Sequence, residues 1–171
     1  MSDTVLSFLL GVIQGLTEFL PISSSAHLLL PSLLFGFNDL GLSFDIAVHA
    51  GTLIAVIYYF RKEIALMFRS FLLTDVNLLP HRNLAISLIV ATIPIILAGL
   101  FVKDFIEQRV FNIEHIAIAN IIFAGILLFA YLKRKDIKNL YSVTLYSALF
   151  VGVFQSLALF PGASRSGTAI T

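Results

Sequence analysis

Three long apolar runs, separated by short charged stretches, dominate the hydropathy pattern of the chain. They are Ile46–Phe60, Leu84–Val102 and Ile116–Leu132. Each run approaches the roughly 20 residues that an α-helix needs to cross a bilayer. The pattern therefore predicts transmembrane helices over about 44–60, 84–102 and 116–132.

Two further apolar stretches are interrupted by proline, glycine and serine. Val5–Leu20 runs into Pro21 and three serines, and then resumes as Leu28–Phe37. Leu145–Phe160 runs into Pro161-Gly162 and a second string that contains serine. Irregular backbone at membrane depth is tolerated only where protein or a water-filled cavity satisfies it. Both stretches are therefore predicted to be re-entrant helical hairpins.

The two broken stretches also resemble each other in sequence. Gly11–Ala26 aligns with Gly152–Gly167 without a gap, and seven of sixteen positions are identical. An odd number of spans lies between the copies, so they face opposite ways in the membrane, as in inverted-topology repeats. Residues 1–139 then form a first repeat with its hairpin at about 5–37, and residues 140–171 begin the second repeat of a longer protein. Chance matching of apolar sequence is the alternative.

The composition supports an all-α polytopic membrane protein. The chain has 171 residues, of which 58% are hydrophobic and 12% charged, and its mean hydropathy is +0.97. An average soluble domain has about 25% charged residues, so an ordinary cytosolic enzyme is excluded. The net charge is +1 without a long basic run, which argues against nucleic acid as a partner. The chain has no cysteine, which excludes a thiolate metal site and a cysteine nucleophile.

The lysines and arginines predict the orientation in the membrane. The connections at 61–83 and 133–139 are basic, so the positive-inside rule assigns them to the cytoplasm. Gly36–Asp45 and Lys103–Glu114 are then outside. The first hairpin is therefore predicted to enter the membrane from outside, and the second from the cytoplasm.

The first break carries a carboxylate, hydroxyls and an imidazole. Gln14 and Glu18 share one helical face at i, i+4, and a carboxylate at membrane depth indicates a functional site. His27 can serve as a general base, a nucleophile or a metal ligand. The hydroxyls between them either cap the returning helix or take part in the chemistry, and they belong to Ser23, Ser24 and Ser25.

The second break carries one arginine among small residues. Arg165 is flanked by Gly162, Ser164, Ser166 and Gly167. Backbone N–H groups beside a guanidinium suit a phosphate or another oxyanion, so these five residues are the predicted phosphate-binding group. From the first break, three residues are expected to line the same site: Gln14, Ser23 and Ser25. A snorkelling arginine at the membrane surface is the alternative.

Asp45 and His49 form a second i, i+4 pair, predicted near the outer end of the first long span. They either complete a metal or proton-relay site or form a packed pair at the interface. The sequence does not decide between the two.

If the two breaks meet, an acid/base group and a polyanion site share one pocket. Phosphoryl transfer or phosphate-ester hydrolysis fits this combination, because positioning and charge stabilisation dominate those reactions. A divalent cation, Mg²⁺ or Ca²⁺, is expected between Glu18 and phosphate oxygens, since Mg²⁺ typically takes one or two carboxylates plus substrate oxygens.

Both breaks resemble signatures of one family, the undecaprenyl-diphosphate phosphatases, which are bacitracin-resistance membrane enzymes. The N-terminal signature is matched by Gln14-Gly-Leu-Thr-Glu-Phe-Leu-Pro-Ile-Ser-Ser-Ser-Ala-His27, and the second by Pro161-Gly-Ala-Ser-Arg-Ser-Gly167. The resemblance implies hydrolysis of undecaprenyl diphosphate to the monophosphate, which recycles the lipid carrier for peptidoglycan synthesis. It also implies a site open to the periplasmic side of the bacterial inner membrane and dependence on a divalent cation.

Carried over by position, the resemblance implies roles for individual residues. Glu18 is the principal acid, and Gln14 takes the other position of the acidic motif. Ser24 corresponds to the proposed serine nucleophile, His27 to the essential histidine and Arg165 to the phosphate-binding arginine.

Three questions stay open at the level of sequence. Inverted repeats with broken helices are common in transporters, so a transporter or flippase for a lipid phosphate or another anion is the alternative function. Either Ser24 or His27 attacks phosphorus. The oligomeric state is not fixed, and a homodimer is compatible with the sequence.

Overall fold

The computed structural model describes residues 2–108, 112–133, 140–160 and 162–170, and the side chains of 105, 107 and 140 are not described. Within these ranges eight α-helices follow one another: α1 (Asp3–Thr17), α2 (Ser24–Phe35), α3 (Gly41–Tyr59), α4 (Arg61–Leu72), α5 (Leu79–Glu107), α6 (Ile113–Lys133), α7 (Leu145–Ser156) and α8 (Arg165–Ile170). Short 3₁₀ turns lie at Val76–Leu78, Leu140–Ser142 and Leu157–Leu159.

The three long helices α3, α5 and α6 confirm the predicted spans, because each is long and apolar enough to cross a membrane. Few of their residues are fully buried, at most 11% in the most apolar segment of any of them, and much apolar surface is exposed. Such surface is stable only against lipid or further apolar protein. The chain is therefore an all-α polytopic membrane protein.

Two of the spans begin earlier than the hydropathy pattern predicts. α3 starts at Gly41, so Gly41–Asp45 is helical and is not part of an outer connection. α5 starts at Leu79 with a proline in its first turn, where the missing N–H costs nothing, and it is 29 residues long. At 1.5 Å per residue α5 extends about 43 Å, beyond the roughly 30 Å of the hydrocarbon core. The hydropathy pattern predicts both helix starts too late because the first turn of each helix contains polar residues.

The basic connection after α3 contains the helix α4, which the hydropathy pattern does not predict. The guanidinium of Arg61 lies 4.5 Å from the ring centre of Tyr58, and that of Arg82 lies 5.8 Å from the ring centre of Phe71. These cation–π contacts fix the two ends of α4 to α3 and α5. The lysines and arginines of the other basic connection, from 134 to 138, lie outside the described residues.

Both broken stretches contain two helices separated by a short turn, as predicted. α1 ends at Thr17 and α2 begins at Ser24, whereas α7 ends at Ser156 and α8 begins at Arg165. Pro161 lies outside the described residues. The re-entry of these hairpins into the membrane, their opposite orientation and the division into repeats at 139 stay predictions.

Two glycines let the second hairpin pack closely on the spans. At Gly152 in α7, an added Cβ would overlap the backbone carbonyl of Ala91 in α5. Gly162 has a φ of 104°, and an added Cβ there would lie 2.7 Å from the carbonyl oxygen of Ile116 in α6. Only glycine combines this backbone conformation with so close an approach. The turn before α8 is thereby held against α6.

Candidate active site

The two helix breaks meet, although about 140 residues of chain separate them. The Gly162 N–H donates to the Ser23 hydroxyl at 3.1 Å. In the other direction, the Ser166 hydroxyl donates to the Leu20 carbonyl at 2.6 Å. The Ser164 hydroxyl lies 3.5 Å from the same carbonyl. The breaks therefore form one hydrogen-bonded unit.

The two breaks also share their local geometry, position for position in the sequence alignment. Ser23 caps α2 by accepting from the Ala26 N–H at 3.4 Å, and Ser164 makes the equivalent bond with the Gly167 N–H at 3.2 Å. Each capping hydroxyl also lies next to that of the serine two positions on, at 3.2 Å in the first break and 3.0 Å in the second. This likeness supports a common origin for the two hairpins.

Glu18 is the centre of the first break. Its Oε2 accepts from the Gln14 amide at 2.8 Å and from the Ser24 hydroxyl at 2.5 Å. Gln14 is fully buried, and the Glu18 side chain is 17% exposed. A serine hydroxyl that donates to a half-buried carboxylate is a nucleophile already paired with a base. This pairing places Gln14, Glu18 and Ser24 together.

Arg165 of the second break lines a cleft that Glu18 also lines. A narrow cleft is lined by Glu18, Ser24 and Ser25 on one side and by Ser164 and Arg165 on the other. The guanidinium has no ion-pair or hydrogen-bond partner among the described residues. An unpaired arginine opposite a serine–carboxylate pair suits a phosphate between them. Arg165 itself is exposed, as the snorkelling alternative also requires.

The cleft opens into a larger cavity of about 360 Å³. Ser25, Arg165 and Ala158 line both spaces. The larger cavity has mainly aliphatic walls, contributed by Leu29, Leu42, Ile46, Ile95, Ile106 and Leu159. A charged head group in the cleft and an apolar tail in this cavity would each meet matching surface.

His27 does not join this cleft, contrary to the expectation that it shares a pocket with Glu18 and Arg165. Its Nδ1 lies 2.7 Å from the Ser23 carbonyl, and its ring lines a separate cavity with Asn120 and Gly162. Ser164 lines both spaces, so it stands between them. The contact of Nδ1 with the Ser23 carbonyl holds the ring in the cavity that Asn120 of α6 also lines.

His49 is the imidazole that the structure brings to Glu18. Its Nε2 lies 3.5 Å from Glu18 Oε2. The signal in the sequence was the i, i+4 spacing of Asp45 and His49. Because α3 begins at Gly41, His49 lies near the middle of this helix and not near its end. A helix beginning at Gly41 places His49 about 12 Å along the span. The contact with Glu18 favours a role of His49 in the site over a packed pair with Asp45 at the interface.

The predicted phosphate-binding serines and glycines have mainly architectural contacts. Ser23 is 2% exposed, and its hydroxyl joins the two breaks. Ser164 and Ser166 direct their hydroxyls to each other and to Leu20. Gly162 and Gly167 are buried in the same contact. Ser25 alone among these serines lines both the cleft and the larger cavity.

The comparison with known proteins agrees with this geometry. Residues 7–171 match the family described as Bacitracin resistance protein BacA. The chain belongs to the BacA family. The BacA match includes both breaks and all three spans.

Several relatives of this BacA-family chain carry the name undecaprenyl-diphosphatase. The one from Saccharophagus degradans is 46% identical over 170 residues, which are 99% of this chain and 64% of that protein. Undecaprenyl-diphosphatase 1 from Pseudoalteromonas translucida is 46% identical over 166 residues, 95% of this chain and 62% of that protein. The Aliivibrio salmonicida protein is 45% identical over 167 residues, with coverages of 96% and 62%. The chain thus spans less than two thirds of the length of these relatives.

The donor atoms beside Glu18 suit a hard divalent cation. The amide oxygen of Gln14 is buried and has no hydrogen-bond partner within the described part of the chain. A carboxylate and an amide oxygen, completed by phosphate oxygens, form a typical set for Mg²⁺ or Ca²⁺. The described residues contain no group of three His, Cys, Asp or Glu side chains that would hold a metal without substrate. Among the described residues Glu18 is the carboxylate that lines the cleft, so a cation would bind to Glu18 together with phosphate oxygens.

Proposed function

We propose that the chain carries the active site of an undecaprenyl-diphosphate phosphatase, which releases inorganic phosphate and undecaprenyl phosphate. The observation that carries this proposal is the 2.5 Å hydrogen bond from Ser24 to Glu18 beside a cleft that Arg165 also lines. The names of the relatives supply the substrate.

In this mechanism Arg165 binds the oxygens of the terminal phosphate and stabilises their charge as the transition state forms. The Ser24 oxygen attacks phosphorus while its proton passes to Glu18, and undecaprenyl phosphate leaves. Glu18 gives this proton to the departing undecaprenyl phosphate. Water then attacks the phosphorus of the Ser24 phosphoester while Glu18 accepts a proton from the water and returns it to the Ser24 oxygen, and inorganic phosphate is released. Ser24 is favoured over His27 as the nucleophile because Ser24 is the residue bonded to the base.

Glu18 would hold the divalent cation together with phosphate oxygens. When bound, the cation would neutralise charge on the phosphate oxygens. His27 then acts from the neighbouring cavity, beyond Ser164, and not as the attacking group.

We infer a place in the bacterial inner membrane with the cleft open to the periplasm. The apolar surface of the three long helices requires a bilayer, and the predicted orientation puts the first hairpin outside. The aliphatic cavity beside Arg165 would take the first part of the prenyl chain. Recycling of the carrier for peptidoglycan synthesis, and resistance to bacitracin, would follow from this activity.

The test is phosphate release from undecaprenyl diphosphate by the purified full-length protein in detergent. We expect Ser24→Ala to lower kcat by about 10³-fold or more, because loss of an activated nucleophile removes the covalent route. Ser32→Ala is the matched control, since its hydroxyl bonds only within α2 to the Leu29 carbonyl and it should keep full activity. Near-normal turnover by Ser24→Ala would contradict the mechanism, and absence of release by the wild type would favour the transporter alternative.

A further inference from the structure

His49 lies at the middle of α3, where its ring bridges the helix backbone and the Glu18 carboxylate. Its Nδ1 is 2.7 Å from the Asp45 carbonyl oxygen, one helical turn earlier. Its Nε2 is buried, 3.5 Å from Glu18 Oε2, and no geometrically acceptable hydrogen bond reaches it within the described part of the chain. Both ring nitrogens therefore face oxygen acceptors.

The first of these contacts fixes the tautomer. A carbonyl oxygen has no hydrogen to give, so Nδ1 must be the donor in its contact with Asp45. Nε2 then faces a carboxylate oxygen across 3.5 Å. Two acceptors at this distance repel each other unless a hydrogen lies between them, and burial makes an unsatisfied pair costly. A hydrogen held between Nε2 and Oε2 satisfies both atoms.

We propose that His49 is a positioning residue that holds the Glu18 carboxylate against Ser24. This inference rests on the proposed function. Gln14 and Ser24 donate to the same carboxylate oxygen, and His49 approaches it from α3, a different helix. The Glu18 carboxylate then lies between the Ser24 hydroxyl and the His49 imidazole. This is the arrangement of nucleophile, base and orienting group that activated serines use.

The surroundings of His49 connect it to the reaction and not only to packing. Its side chain is 21% exposed and lines the larger cavity together with Arg165 and Asp45. Glu18, Asp45 and Arg165 are the charged groups around that cavity and cleft. A packing role alone would place the ring against apolar side chains and would not direct a polar atom at the Glu18 carboxylate.

Two substitutions separate the two ring nitrogens. His49→Asn keeps an N–H near the Nδ1 position, where it can still donate to the Asp45 carbonyl, but leaves nothing at Nε2. His49→Gln places an amide N–H near the Nε2 position, facing Glu18. Thermal unfolding of both variants in detergent shows whether they keep the fold.

The first measurement is kcat and KM for phosphate release from undecaprenyl diphosphate. Loss of an orienting partner typically costs about 10–100-fold in activity, so we expect His49→Asn to lower kcat by that factor. We expect KM to change by no more than about twofold, because both variants keep a polar side chain where His49 lines the larger cavity, and His49→Gln to recover most of the lost kcat. The second measurement is the rate at which a fluorophosphonate labels Ser24, detected by mass spectrometry, which should follow the same order among the variants.

The labelling rate keeps this inference separate from the proposed function. If the wild type labels at Ser24 but releases no phosphate, the substrate is wrong and the labelling rates still decide the role of His49. Equal labelling of wild type and His49→Asn would overturn the role, and so would equal impairment of His49→Asn and His49→Gln, which indicates packing alone. Absence of wild-type labelling at Ser24 would overturn it as well.

Discussion

At the residue scale, the chemistry of the cleft comes from the Glu18 carboxylate, the Ser24 hydroxyl and the Arg165 guanidinium. Glu18 and Arg165 were predictable from sequence, because a charged residue beside a helix break is costly unless it serves a site. Ser24 was distinguished from Ser23 and Ser25 only by the resemblance to the family. The partner of Glu18 was not predictable. His27 is nearer to Glu18 in the chain, yet His49 is nearer in space, because α3 packs against α1.

The geometry of Arg165 gives a prediction at this scale. A guanidinium binds two phosphate oxygens at once, whereas an ammonium is a single point charge. We expect Arg165→Lys to lower kcat/KM by about 10–100-fold and Arg165→Ala by about 10³-fold, since loss of one transition-state donor costs about 10²–10³. Steady-state phosphate release measures both. Full activity of Arg165→Ala would remove Arg165 from the site.

At the element scale, the position of each helix was more predictable than its ends. Twenty-residue apolar runs revealed α3, α5 and α6, and proline with serine revealed both breaks. The first turn of α3, the first turn of α5 and all of α4 carry polar or charged residues, which hydropathy alone does not distinguish from loops. Contacts with other helices decide those segments, as the rings beneath Arg61 and Arg82 show.

Close packing of α7 on α5 gives a prediction at this scale. A Cβ at Gly152 would overlap the Ala91 carbonyl, so Gly152→Ala forces the two helices apart at a cost of about 1–3 kcal/mol. Gly125→Ala in α6 is the control, because a Cβ there meets nothing within 4 Å. Exchanging a helical glycine for alanine stabilises a helix by up to about 1 kcal/mol, so the control should unfold at the same or a higher temperature. Equal melting temperatures for the two variants would show that the contact does not matter.

At the scale of the whole molecule, the site exists only because two distant breaks meet. The repeat in the sequence predicted that both breaks matter, and broken helices in repeat proteins usually meet near the midplane. The sequence could not say which atoms touch. The bonds from Gly162 to Ser23 and from Ser166 to Leu20 depend on how α7 packs against α5, and on a glycine at φ 104° against α6.

Crosslinking tests this meeting of the breaks most directly, and residues 1–171 contain no cysteine that would interfere. In the membrane-embedded full-length protein, Leu20→Cys combined with Ser166→Cys should be joined rapidly and within one chain by a short bis-maleimide, as mass spectrometry of the digested protein would show. Tyr59→Cys combined with Ser166→Cys is the control, since Tyr59 lies about 15 Å along α3 beyond His49 and should not crosslink. Crosslinking of the first pair at no more than the control rate would mean that Glu18 and Arg165 do not share a cleft.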